Sequence, residues 1–136
     1  ISSEKDHRKL MYVDTNVIVD LLRGNKNSRK FFDKYKGAIK ISVIVKLELL
    51  DGLKTKNQIS GLNKKVFAAL QIVIVQVDEE VSIKAEEIFA NYRHSNGISI
   101  NDSLIAATAL VHNEELATRN IKHFDFIPNL KILKPY

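Results

Sequence analysis

Short apolar runs and longer amphipathic stretches alternate along the chain, and that alternation predicts its elements. Residues 10–13 are apolar and β-prone, and at Asp14 they give way to Val17, Ile18, Leu21 and Leu22, a stripe at helical spacing that continues to Arg23. A buried strand is therefore expected to end at Asp14, with a helix starting just after it. Gly24 and Asn25 break the pattern. Residues 28–35 resume it as a helix whose Phe31, Phe32 and Tyr35 form an aromatic stripe, read as core rather than as a base-stacking platform. Residues 38–42 read as a second strand, and 43–53 as a helix apolar around most of its circumference, hence largely buried. Residues 57–70 predict another helix, with Gly61 as its weak point. Residues 72–77, mostly β-branched, predict a fully buried strand. Beyond Asp78, a capping type, Val81, Ile83, Ala85, Ile88, Phe89 and Tyr92 supply the apolar contacts of a long helix that Asn96 and Gly97 end. Residues 98–112 form a further helix, 115–118 a short strand and 130–133 a last, edge strand. Strands alternating with helices argue for an α/β fold with a parallel sheet covered on both faces.

Composition narrows the chemistry more than the fold. A chain of 136 residues with 45% hydrophobic content fills one core, so a single domain is expected over residues 10–136, after a polar, flexible lead-in over 1–9. No apolar run approaches the roughly 20 residues of a membrane span and no secretory signal is visible, so a soluble, cytoplasmic protein is expected. The absence of cysteine excludes disulfides, thiolate zinc sites and cysteine nucleophiles, leaving oxygen or imidazole ligands for any metal. His7, His94, His112 and His123 show no paired metal-binding spacing, and of these only His123 neighbours a candidate motif. A formal charge of +5 suits a polyanionic partner as well as an ordinary lysine-rich surface. It bears on function only if basic residues surround an acidic cluster, where a cation must mediate between carboxylates and phosphate.

Such a cluster is legible. Asp14, Thr15 and Asn16 are all helix-capping types, yet they lie at the carboxyl end of a strand, where open α/β sheets bind ligands. Glu48, within the helix after the second strand, falls close to apolar surface, an expensive place for an unpaired carboxylate. Ser99 and Asp102 fit a capping box, and a first-turn carboxylate is also kept ionised by the helix dipole, so capping and cation binding compete for the same oxygens. Asn120 follows the fourth strand. In a parallel sheet these residues project toward one edge, and carboxylates gathered without cysteine or histidine suit a hard divalent cation able to serve phosphodiester cleavage.

The stretches MYVDTNVIVDLLRG, ISVIVKLELLDG, INDSLIAATAL and LATRNIKHFDFI occur in that order. Together they resemble the PIN-domain ribonucleases, particularly the VapC-type toxins of toxin–antitoxin pairs, from about Met11 to Leu133. The resemblance implies a three-layer fold with a five-stranded parallel sheet of order 3-2-1-4-5, Mg²⁺ or Mn²⁺ dependence, cleavage of single-stranded RNA, an antitoxin partner and a homodimer. It maps the family acids onto Asp14, Glu48 and Asp102, and the small polar residues near the metal onto Thr15, Asn16, Thr118 and Asn120. Arg23, Arg119 and Lys122, within these stretches, are candidate RNA contacts. The chain departs from the pattern in its fourth motif, where Asn120 and His123 stand at positions that many relatives fill with an acid, and Asp125 follows Phe124. Asn120 and Asp125 therefore compete for that role. The competing reading is a PIN-fold module that binds RNA or protein without cutting. A response-regulator receiver lacks support, since Lys134 leaves no room for a final helix.

Overall fold

The computed structural model describes residues 9–136, so all of the expected lead-in except Lys9 lies outside the described residues. Five strands, β1 (Met11–Val13), β2 (Ile39–Ser42), β3 (Val73–Val75), β4 (Glu115–Ala117) and β5 (Ile132–Leu133), form one sheet in the order β3-β2-β1-β4-β5. Every pairing is parallel. The helices are α1 (Thr15–Leu22), α2 (Lys26–Lys34), α3 (Val43–Asp51), α4 (Lys56–Leu62), α5 (Glu79–Asn96) and α6 (Ile100–Val111). Sheet order and right-handed crossovers place the helices of the β1-to-β3 half and those of the β3-to-β5 half on opposite faces.

The sheet is organised around β1. Flanked by β2 and β4 and covered by helices, Met11, Tyr12 and Val13 are at most 1% exposed. The buried Tyr12 hydroxyl stands 2.9 Å from Nδ1 of His112, which satisfies it. From α2, Phe31 and Phe32 enter the same core, so the aromatic stripe is spent within the chain itself.

Three expectations need correction. The β-branched run at 72–77 is an edge strand, with Val73 55% exposed, because such a run specifies extended backbone and leaves position in the sheet to tertiary pairing. Helix α3 buries only Val45 and Leu49, while Leu47 is 53% exposed. Glu48 is thus half-buried beside polar partners and not enclosed by apolar ones. The helix expected over 57–70 is α4 followed by a wider π-type segment, Asn63–Ala68, that carries Val66 and Phe67 into the core. Where α5 ends, Gly97 adopts φ +67°, the left-handed turn that leads directly to Ser99 and α6.

Candidate active site

The carboxyl ends of β1 and β4 are stitched together where the Asp14 N–H donates to the Ala117 carbonyl at 2.9 Å. Asp14 and Thr118 therefore emerge side by side. The Thr118 hydroxyl, completely buried, donates to Asp14 Oδ2 at 2.8 Å, and the Thr15 N–H donates to Oδ1 at 2.8 Å. Asp14 is thus both the N-cap of α1 and a carboxylate fixed at two oxygens. Burial pushes its carboxyl above the ordinary value, the Thr118 and Thr15 hydrogen bonds pull it back, and the nearby Glu48 charge pushes it up again.

Glu48 faces Asp14 from α3. The Thr15 hydroxyl donates to its Oε1 at 2.5 Å and Asn101 Nδ2 donates to its Oε2 at 3.2 Å. Asn101 went unnoticed in the sequence. Its only signal is its place beside Asp102 in the first turn of α6. There Ser99 caps the helix by accepting the Asp102 N–H at 3.0 Å, so the hydroxyl serves the helix end while the Asp102 carboxylate turns to His123 Nδ1, at 3.3 Å. Asp102 is held above its ordinary value by burial and then by the Asp14 charge, with His123 pulling it down.

Asp14, Thr15, Asn16, Glu48, Asp102, Asn120 and His123, with Val19, line one open cavity of about 340 Å³. Asn120 is exposed at its rim, its N–H donating to Thr118 Oγ1 at 3.0 Å, while Asp125 is exposed and does not line the cavity. Of the candidate RNA contacts none lines it. Arg23 caps the end of α1, Lys122 is exposed, and Arg119 reaches Asp20 at 2.7 Å while its N–H points to Asn16 Oδ1 at 3.5 Å.

Among the described residues, no three His, Cys, Asp or Glu side chains already stand as a ligand set. The donor chemistry nevertheless fits a hard divalent ion. The cavity offers carboxylate, amide and hydroxyl oxygens, and two of its acids are raised above the ordinary carboxylate value by burial and then by a neighbouring acid's charge, which a cation would offset. Each acid has its own partners: Thr118 for Asp14, Thr15 and Asn101 for Glu48, and His123 for Asp102.

The PIN domain family matches residues 11–127. Ribonuclease VapC10 of Mycobacterium tuberculosis is 33% identical over 126 residues, which cover 90% of this chain and 91% of that protein. Ribonuclease VapC1 of Rickettsia felis is 35% identical over 131 residues, covering 90% and 94%. Among solved structures, VapBC2 from Rickettsia felis bound to a DNA fragment from its promoter superposes with a TM-score of 0.77 at 26% identity, over 91% of this chain and 97% of that one. FitAcB from Neisseria gonorrhoeae gives 0.73 at 26% identity, over 93% and 98%.

Proposed function

Since this chain belongs to the PIN-domain family, we propose that it is a divalent-metal-dependent endoribonuclease, the toxin of a toxin–antitoxin pair, which hydrolyses phosphodiester bonds in single-stranded RNA. The observation that carries the reading is the oxygen-rich cleft in which Asp14, Glu48 and Asp102 converge, where burial first, and then the Glu48 charge on Asp14 and the Asp14 charge on Asp102, raises two of the carboxyls. Acids gathered where a polyanion must approach call for a cation between them. The resemblance of the chain to proteins named ribonucleases supports the choice of substrate.

In this reading Asp14 and Asp102 hold Mg²⁺ or Mn²⁺, and Glu48 does so directly or through water. The bound ion supplies Lewis-acid stabilisation of the scissile phosphate and eases deprotonation of water. Thr118 keeps Asp14 aimed into the cleft, and Thr15 with Asn101 fixes both oxygens of Glu48. Asn120, at the rim, offers a neutral carbonyl oxygen to the cation or orients water, and Thr15 and Asn16 present the start of α1 to the phosphate. A cognate antitoxin protein, a homodimer and a cytoplasmic setting complete the proposal. Among the described residues no helix is long and apolar enough to cross a membrane.

Incubation with single-stranded RNA and Mg²⁺ or Mn²⁺ should give internal cleavage that EDTA abolishes. Asp14→Asn and Asp102→Asn should each lower the rate by about 10³-fold or more while circular dichroism shows an intact fold. EDTA-resistant cleavage by both variants overturns the mechanism, and RNA binding without cleavage under any divalent ion favours the non-cutting module.

A further inference from the structure

Residues 133–136 lie against α2 and with it line an open cavity of about 260 Å³. Lys30 and Lys34 of α2, with Tyr35 that caps it, form one wall, and Lys134 and Tyr136 the other. All three lysines are exposed. Among the described residues no carboxylate pairs with Lys30 or Lys134, and Lys34 Nζ stands 5.2 Å from the Tyr35 ring centre. Asp33, the sole acid of α2, is drawn off by Arg29 at 3.3 Å.

A line of contacts joins this cavity to the acidic cleft. The Tyr136 hydroxyl donates to Asp20 Oδ2 at 2.5 Å, and Arg119 Nη1 donates to the same oxygen at 2.7 Å. The Arg119 N–H faces Asn16, which lines the cleft together with the next residue, Asn120. We infer that the lysine-rimmed cavity is a second contact site for single-stranded RNA, in which Lys30, Lys34 and Lys134 grip backbone phosphates beyond the cleft and the anchored Tyr136 ring offers a surface for a base. Positive charge alone would also suit an acidic protein segment. A tyrosine ring pinned at its hydroxyl and continuity with the cleft favour a strand of nucleotides, because bases stack on any fixed aromatic face while the backbone tracks the cations.

The inference rests on the nuclease reading, and its test separates the two. Binding of a labelled 20-nucleotide single-stranded RNA is followed by fluorescence anisotropy in EDTA, where no cleavage occurs. Lys30→Glu/Lys134→Glu should weaken binding about tenfold or more. The slope of log Kd against log salt should flatten by roughly one to two, since each phosphate contact on a single strand contributes about 0.7. Tyr136→Leu should weaken it about fivefold. Lys56→Glu/Lys64→Glu, an equal change of charge at exposed positions on and just after α4, should weaken it less than about threefold. Equal weakening by both double variants, or by neither, overturns the site, as does retained RNA affinity with lost binding of a polyglutamate peptide. Cleavage by the wild-type chain accompanied by that result leaves the nuclease reading standing, whereas a chain that neither cuts nor binds RNA removes both.

Discussion

Asp102 carries its charge at a cost that can be measured. Burial, then the Asp14 charge, raises its carboxyl above the ordinary 3.8, and Asp14 is raised as well. An acid with a raised folded pKa binds its proton more tightly when folded. The metal-free protein is therefore most stable at or below about pH 4 as far as these groups are concerned, and it loses that contribution as pH climbs through the raised values. Asp102→Asn should then melt a few degrees above wild type in EDTA at pH 7, a gain of up to about 1 kcal/mol. The gap should close toward pH 4, and a gap that stays constant with pH would contradict the argument. Saturating Mn²⁺ should reverse the order, because only the wild type then gains binding free energy. At the fourth motif, Asn120 is at the cavity and Asp125 outside it. Asn120→Asp should tighten Mn²⁺ binding by calorimetry and Asp125→Ala should change it less than about twofold, a carboxylate attracting a hard cation more than an amide does. The acids were legible because they follow strands or open helices, whose positions the apolar pattern marks. Asn101 and the His123 contact were not, since both join segments distant in sequence and leave no local period.

Helix α6 presents Asn101 and Asp102 in one turn, and that turn exists because Ser99 accepts the Asp102 N–H. Ser99→Ala should cost about 1 kcal/mol. It should also weaken Mn²⁺ binding, because a frayed first turn no longer holds Asp102 and the Asn101 clamp on Glu48. A loss of stability with unchanged Mn²⁺ affinity would show that the turn stays formed without its cap. The elements themselves were largely legible: each expected strand and helix has a counterpart displaced by a residue or two at its ends, except the helix expected over 57–70, which turns π-type after Leu62. What the sequence concealed was how deeply each is buried. Val73, 55% exposed, sits in a run as apolar as that of the central strand, and Leu47, 53% exposed, in a helix apolar around most of its circumference. Their exposure follows from which neighbours the sheet order provides, a tertiary fact with no signature in a local run.

As a whole the molecule leaves different surfaces for different partners. Phe31 and Phe32 are core residues, so the aromatic face of α2 does not serve self-association. The proposed homodimer must use another face, and the apolar groove between α5 and α6, with Phe89, Leu104 and a 64% exposed Ile100, offers apolar area for it. Light scattering at micromolar concentration should report a dimer, and Ile100→Glu should shift it toward monomer. A strict monomer in the wild type rules the dimer out. The sheet order has a temporal consequence too. Because β1 is central and its Asp14 is held by a threonine 104 positions later, the cleft cannot assemble until β4 has been made. At translation rates of about 5–20 residues per second, this separation corresponds to a delay of about 5–20 s. Throughout that interval a growing chain holds Asp14 without the residues that complete its site, so the nuclease proposed above stays inactive until its fourth strand is made.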